Sequence, residues 1–264
     1  MLPERPQLRV LIMGSSSVTY GESGDESTLP GLTEKLLREE HPSIDWTCRS
    51  ERLFQGPTMA ERALKLIGRH QPDVAVLYLQ KSQFQTRKVV YRIRNRWPGL
   101  YDRAQALALL LKGWAGGGSY GNAGVRGWIF RVPAYLAAKV IGADPDIWVD
   151  DAIRHTKETI DGLARREDLT VIVKMPKETS SSPRTAEQLE WGERFRQAVV
   201  AACEARHIPA YTHVDNRPPV RRSWFKRSAP DGIHSPIDTR ENYARTLAAE
   251  VLAAVADRAA LVLT

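Results

Sequence analysis

Two short motifs place hydroxyl, carboxylate and imidazole groups near opposite ends of the 264-residue chain. Residues 14–21 (GSSSVTYG) offer three adjacent serines directly after an apolar run. Residues 231–235 (DGIHS) place a carboxylate three positions before a histidine. A carboxylate held near an imidazole orients it and stabilises its charged form, and an imidazole held in this way activates a serine hydroxyl. Together the motifs indicate nucleophilic catalysis, with the groups in the order serine, aspartate, histidine.

Each motif taken alone has a second interpretation. A cluster of glycine and serine between a strand and a helix is also typical of a plain turn. It is typical of a phosphate cradle as well, because a helix N-terminus favours negative charge. An Asp-Gly-x-His sequence is also typical of a surface turn with an unengaged histidine. Only the combination of both motifs favours catalysis.

The segments between the motifs alternate between strand and helix patterns. Short apolar runs predict five strands, and stretches with helical spacing predict the helices. Thr58 followed by Glu61 matches the pattern of a capping box at the start of one helix. The strands are predicted over residues 8–13, 44–48, 74–79, 169–175 and 208–213, and the helices over residues 32–40, 58–70, 186–206 and 239–256.

This alternation predicts an α/β fold with a parallel sheet that is covered by helices on both faces. Five strands fit a flavodoxin-like three-layer α/β/α sandwich, in which sites lie at the carboxyl ends of the strands. The composition, with 42% apolar and 26% charged residues, is that of an ordinary globular protein. We expect a single domain over residues 1–264.

Residues 84–142 interrupt the alternation after the third strand and are strongly basic. Ten Lys and Arg residues and a single acid, Asp102, lie between Gln85 and Val140, which gives a net charge of +9. Two apolar runs on either side of a glycine cluster predict a largely helical insertion. It is interpreted either as a solvated pair of helices or as a mobile lid or interfacial element. No nucleic-acid-binding motif accompanies the charge, so nucleic acid is not an expected partner.

The motifs resemble those of the SGNH hydrolases, also called GDSL-type esterases and lipases. Residues 14–16 resemble the family's Gly-Asp-Ser block, with Ser15 in place of the aspartate, and residues 18–21 resemble the tail of that block. Residues 231–234 match its Asp-x-x-His block, ahead of the last predicted helix. Gly56 stands after the second strand, where the family places the glycine of its oxyanion hole. The resemblance covers both ends of the chain and the strand order, and it implies esterase chemistry.

The resemblance assigns a catalytic triad to Ser16, Asp231 and His234. The first motif has one residue too many between its two glycines, so the position of the nucleophile depends on the direction of counting. Counting forward from Gly14 gives Ser16, and counting back from the second glycine gives Ser17. We prefer Ser16, because the strand end and its glycine fix the turn, and Ser17 remains the alternative nucleophile.

The family's third block, Gly-x-Asn-Asp after strand three, is replaced here by Gln-Lys-Ser-Gln. The resemblance implies an oxyanion hole formed by Ser16, Gly56 and Ser82, which takes the position of the asparagine. A hydroxyl is shorter than a carboxamide, so Gln80 and Gln83 are candidates to supply the missing amide. Loss of one oxyanion donor costs on the order of a hundredfold in rate. Either another group supplies the donor or the enzyme is slow.

The expected function is therefore a serine ester hydrolase that forms an acyl-enzyme on a carboxylic (acyl or acetyl) ester, without metal or organic cofactor. Its substrate is expected to be a small-molecule or lipid-like ester, anionic or presented at a membrane surface that residues 84–142 contact. Gln80, Gln83 and Trp114 are candidate substrate contacts. The alternatives are a weak or inactive SGNH-fold protein that binds anions or a docking partner, and an acyltransferase that uses the same triad.

The chain also carries signals of its cellular compartment. It has only two cysteines, no run of eighteen apolar residues and a polar N-terminal segment. These features predict a cytoplasmic protein, and the oligomeric state is left open.

Overall fold

The computed structural model describes residues 5–15, 18, 27–80, 82–85, 87–103, 105–106, 136, 139–176, 185–212 and 237–263, and of residues 82, 88, 237–239 and 257–263 it describes the backbone alone. The chain divides into two compact units. Unit 1 comprises Met1–Lys81, Val149–Pro218 and Ile237–Thr264, and unit 2 comprises Ser82–Trp148 and Pro219–Pro236. A single domain with an insertion over residues 84–142 stays a prediction.

The strands and helices have the following bounds. The strands are β1 (Gln7–Gly14), β2 (Asp45–Arg52), β3 (Val74–Tyr78), β4 (Arg87–Lys88), β5 (Asp144–Pro145), β6 (Thr170–Lys174) and β7 (Ala210–Tyr211). The helices are α1 (Leu29–Glu40), α2 (Met59–His70), α3 (Ser82–Gln85), α4 (Val89–Arg96), α5 (Val149–Ala164), α6 (Ala186–Glu204) and α7 (Ile237–Leu263).

Unit 1 is built on a five-stranded parallel sheet with the strand order β2-β1-β3-β6-β7. Its central strands are continuous apolar runs, and every residue of β3 is buried. Such runs are typical of parallel strands that are covered on both faces. The strand order is the flavodoxin-like one, so the predicted fold class is confirmed.

Helices cover the sheet in two layers. Helices α1 and α7 pack together and bury one cluster against the sheet, which includes Leu37, Trp46, Val76, Ile172 and Leu247. Helix α5 packs against both α2 and α6, and these three form the second helical layer. The carboxyl ends of the parallel strands therefore meet at one edge, between two helical layers.

Two features of the helices differ from the sequence-based expectation. Helix α5 is not among the predicted helices, because its buried face includes His155, Thr156 and Thr159 and its apolar periodicity is diluted. The predicted capping box at Thr58 is wrong, since that side chain makes no cap hydrogen bond. A capping box is present instead at the start of α6.

In unit 2, ion pairs join helix α4 to the segment around β5, which pairs antiparallel with β4. The Arg92 guanidinium lies 3.0 Å from a carboxylate oxygen of Asp144, which is buried, and the Arg94 guanidinium lies 2.8 Å from Asp146. Asn95 also donates to Asp144, at 3.2 Å. Part of the positive charge of the basic segment is thus used within unit 2 to hold α4.

Candidate active site

Strand β1 ends at Gly14, where the neighbouring strand leaves no space for a side chain. Gly14 lies opposite Tyr78 in the parallel register. A Cβ atom added to Gly14 would lie 2.9 Å from the carbonyl oxygen of Tyr78 and 3.0 Å from its Cβ. The Gly14 carbonyl accepts a hydrogen bond from the Leu53 N–H at 2.7 Å, which ties it to the end of β2. The glycine is therefore required by a close approach of the backbones.

The residues after Gly14 begin a tight turn at the carboxyl edge of the sheet. The N–H of Val18 donates to the Ser15 carbonyl at 3.0 Å, and the Val18 side chain is fully buried. The Ser15 hydroxyl donates to Oε1 of Gln80 at 2.6 Å. The turn is thus anchored at both ends, and Ser16 and Ser17, the two predicted nucleophiles, fall between the anchors in the sequence. Both serines lie outside the described residues.

Gly56 follows β2 at the same edge of the sheet. No described atom would lie within 4 Å of a Cβ added there, and its φ is not in the left-handed region. Neither packing nor backbone conformation explains the glycine. Its carbonyl accepts from the Met59 N–H at 3.0 Å and so begins helix α2. The absence of a side chain leaves the backbone approachable, as an oxyanion donor requires.

Two glutamines and a serine follow β3. Gln80 is half-buried and contacts Ser15 within unit 1. Ser82 begins helix α3 in unit 2, and the structure describes only its backbone. The backbone carbonyl of Gln83 accepts from the Asp146 N–H at 3.0 Å within unit 2. Of the three candidates, the structure therefore joins Gln80 to the first motif.

A buried lysine lies among tyrosines at the ends of three adjacent strands, and the sequence analysis missed it. Tyr78, Lys174 and Tyr211 are the last residues of β3, β6 and β7 and lie side by side in register. The Lys174 ammonium lies 4.2 Å from the centroid of the Tyr78 ring, a cation–π contact. Burial raises the pKa of both phenols above the ordinary value. The available signal was a lysine inside an apolar run, residues 169–175 (LTVIVKM).

The beginning of the last helix is tied to the beginning of the first. Arg240, in the first turn of α7, donates to the backbone carbonyl of Ser27, which precedes the N-cap Thr28 of α1. The first motif leads into α1 and the second motif leads into α7. The two helices that follow the motifs therefore start close together.

Several predicted site residues lie outside the described residues, namely Ser16, Ser17, Trp114, Asp231 and His234. Within the described ranges, no group of three or more His, Cys, Asp and Glu side chains forms a metal site. Among the described helices, none is both long and apolar enough to cross a membrane.

No family model and no curated protein matches the chain. Solved structures do match, over nearly its whole length. An alpha/beta hydrolase enzyme from the metagenome of Lake Arreo, Spain, is 12% identical, with a TM-score of 0.53 over 94% of this chain and 95% of that one. A carbohydrate acetylesterase from Sinorhizobium meliloti is 10% identical, with a TM-score of 0.51 over 93% and 99%. The protein TesA is 14% identical, with a TM-score of 0.50 over 94% and 97%. At these identities the similarity shows the fold.

Proposed function

We propose that the chain, which has the SGNH-hydrolase fold, is a serine ester hydrolase. The observation that carries the proposal is the turn after β1. There Gly14 packs against Tyr78, Ser15 is bonded to Gln80, and Val18 is buried. Such a turn offers a hydroxyl and backbone N–H groups at the carboxyl edge of the sheet, where this class of fold places its sites.

The proposed reaction uses Ser16, His234 and Asp231. The Ser16 hydroxyl attacks the ester carbonyl carbon while His234 takes its proton, and Asp231 orients His234 and stabilises its positive charge. The backbone N–H groups of Ser16 and Gly56 stabilise the oxyanion. The tetrahedral intermediate expels the alcohol, which takes the proton from His234 and leaves an acyl-serine. Water, activated by His234, then releases the carboxylic acid and restores the hydroxyl.

The hydrogen bond between α7 and the residue before α1 supports this assignment of the second motif, because that motif precedes α7 in the sequence. Asp231 and His234 precede α7 by a few residues, and α7 is bonded through Arg240 to Ser27. One of the similar structures is a carbohydrate acetylesterase. We therefore place the substrate among small acyl or acetyl esters.

Unit 2 supports a preference for anionic esters or ester-bearing surfaces. Its described residues include exposed Trp97 and Leu100 next to Arg96 and Arg103, and the Arg96 guanidinium lies 5.9 Å from the Trp97 ring centroid. Exposed aromatic and aliphatic side chains beside arginines that form no ion pair with another described residue favour a ligand with an anionic part.

The test is labelling with a fluorophosphonate, followed by peptide mass spectrometry, alongside hydrolysis of neutral and succinylated nitrophenyl esters. We expect one adduct, on Ser16, and loss of both labelling and hydrolysis in His234→Ala. His41→Ala is the matched control, because His41 lies exposed at the end of α1, beside the amino end of β2. An adduct on Ser17 would move the nucleophile by one residue. An unlabelled folded protein beside a reactive control esterase would overturn the proposal and favour an anion-binding protein.

A further inference from the structure

We infer that the Gln80 side-chain amide is the oxyanion donor that replaces the missing asparagine, and that Ser15 is the residue that positions it. The inference rests on the proposed ester hydrolysis and identifies a further part of that site. It starts from one contact, the hydrogen bond from the Ser15 hydroxyl to Oε1 of Gln80 at 2.6 Å.

The direction of that hydrogen bond determines what Gln80 offers to a ligand. A carboxamide has one acceptor oxygen and one donor nitrogen, on opposite sides of its terminal carbon. Because Ser15 donates to the oxygen, the acceptor side is directed at Ser15, and the N–H groups are directed away from it. An oxyanion requires donors, so this orientation is the one that stabilises it.

The two residues hold the amide at the end of β1, and the predicted nucleophile follows that end in the sequence. Ser15 directly precedes Ser16 in the sequence. Gln80 is the second residue after Tyr78, which lies opposite Gly14 in the register of β3 with β1. Gln80 is half-buried at this edge, so its amide is partly screened from bulk water and its hydrogen bonds to a charged oxygen are strengthened. The longer side chain of glutamine carries the carboxamide one methylene farther than asparagine does.

The role of Gln80 as a donor depends on which residue type stands at position 15. An aspartate at that position accepts hydrogen bonds and has no proton to donate at neutral pH. It would draw the N–H side of the Gln80 amide toward itself and direct the carbonyl oxygen toward the oxyanion, where it repels negative charge. A serine at position 15 and a glutamine at position 80 therefore form a matched pair.

The test compares Gln80→Ala, Ser15→Ala, Ser15→Asp and the double variant Ser15→Ala/Gln80→Ala in steady-state hydrolysis and in the rate of fluorophosphonate labelling. We expect Gln80→Ala to lower kcat about a hundredfold with KM changed by less than about threefold, because the donor acts on the transition state. Ser15→Ala should lower kcat about tenfold, and Ser15→Asp at least as much as Gln80→Ala. The double variant should match Gln80→Ala alone, because Ser15 acts through Gln80.

Gln197→Ala is the control, since Gln197 is exposed on α6 and its side-chain amide donates to Glu193 on its own helix. Thermal melting of each variant shows that the fold is intact. If wild type is labelled and Gln80→Ala reacts as fast as wild type, the inference is wrong and ester hydrolysis stands. Full activity in Ser15→Asp also overturns it. If the folded wild type is not labelled at all, both the inference and the proposed function are wrong.

Discussion

Three residues of the first motif are fixed by three different kinds of interaction. Two of them precede the predicted nucleophile in the sequence and one follows it. Gly14 is held by backbone contact with β3, Ser15 by a side-chain hydrogen bond, and Val18 by burial in the core of unit 1. A nucleophile is effective only when its approach to the substrate is fixed to within a fraction of an ångström. Rigid anchors before and after the serines serve that requirement better than a free loop would.

The two glycines near the candidate site make opposite predictions for substitution by alanine. At Gly14 the new Cβ would lie 2.9 Å from a backbone oxygen that cannot move without disturbing β3, so we expect a loss of about 1–3 kcal/mol in the free energy of unfolding. At Gly56 the new methyl meets no described atom within 4 Å, so we expect a change within about 0.5 kcal/mol.

Urea unfolding of Gly14→Ala and Gly56→Ala measures both effects under identical conditions. Equal stability of the two variants would mean that β1 and β3 are not packed as described. The Gly56 variant also reports on function, because a methyl beside a proposed oxyanion donor is expected to slow hydrolysis without lowering stability.

At the residue scale, sequence patterns identify candidate functional residues more easily than they identify the residues that contact them. Residue type and spacing single out the serine cluster and Gly56, and all described members of these sets lie at the carboxyl edge of the sheet. The pairing of Ser15 with Gln80 depends on the register of β1 against β3, which no local pattern encodes. The contact of Lys174 with Tyr78 depends likewise on β6 lying beside β3.

Helix starts show how one dihedral angle decides whether a threonine caps a helix. Thr28 and Thr185 have ψ near 160°, and each side chain accepts a hydrogen bond from a backbone N–H of its helix. Thr58 has ψ of 11° and accepts none. An N-cap side chain reaches the N2 or N3 amide only when its own backbone is extended. The predicted capping box at Thr58 fails for this reason, although its sequence fits.

These caps predict a difference between two conservative substitutions. Thr185→Ala removes the hydrogen bond that its side chain accepts from the Gln188 N–H, and of the capping box it leaves only the bond from the backbone N–H of residue 185 to Oε1 of Gln188, so we expect a loss of about 1 kcal/mol. Thr58→Ala removes no cap bond and should cost less than about 0.5 kcal/mol. Chemical denaturation of both variants checks the difference, and a larger loss at Thr58 would contradict it.

At the element scale, the strands are easier to predict than the helices. The five predicted strands all overlap strands of the sheet, because a run of apolar residues is required wherever a strand is covered on both faces. The edge strand β2 continues to Arg52, beyond its predicted end at residue 48. The prediction ends too early because the last residues of this strand are polar and do not extend the apolar run. Helix α5 escapes prediction because three polar residues, His155, Thr156 and Thr159, take buried positions on it. Tertiary packing accommodates these polar residues at buried positions, but a prediction based on apolar periodicity does not count them as part of a buried face.

Across unit 1 as a whole, the core includes ionisable groups whose charge state the fold constrains. Tyr78 and Tyr211 belong to the cluster between the sheet and the α1/α7 layer, and both are almost completely buried. Burial disfavours the phenolate, so the pKa of each tyrosine is raised in the folded state, and for Tyr211 the nearby Tyr78 and Glu250 add to the effect. In the unfolded chain both phenols titrate near the ordinary value of about 10.

The raised pKa values of the two phenols determine how the stability of the protein changes with pH. Below about pH 10 both phenols are neutral in the folded and in the unfolded chain, so their contribution to stability is fully present. Above that pH the unfolded chain loses protons that the folded chain retains, so stability falls as pH rises toward the folded pKa. Each tyrosine costs up to about 1.4 kcal/mol for each pH unit in this range.

We therefore expect the protein to unfold cooperatively in alkali, with a burst of phenolate absorbance that coincides with the loss of helical circular dichroism. Tyr78→Phe and Tyr211→Phe should each make the decline of stability with pH shallower, because one ionisable group is removed from the core. Tyr101→Phe, at a half-buried tyrosine of unit 2 outside this cluster, is the matched control. If Tyr78 and Tyr211 titrate near pH 10 in protein that stays helical, the two phenols are open to water, and β3, β6 and β7 are not packed at the candidate site as the structure shows.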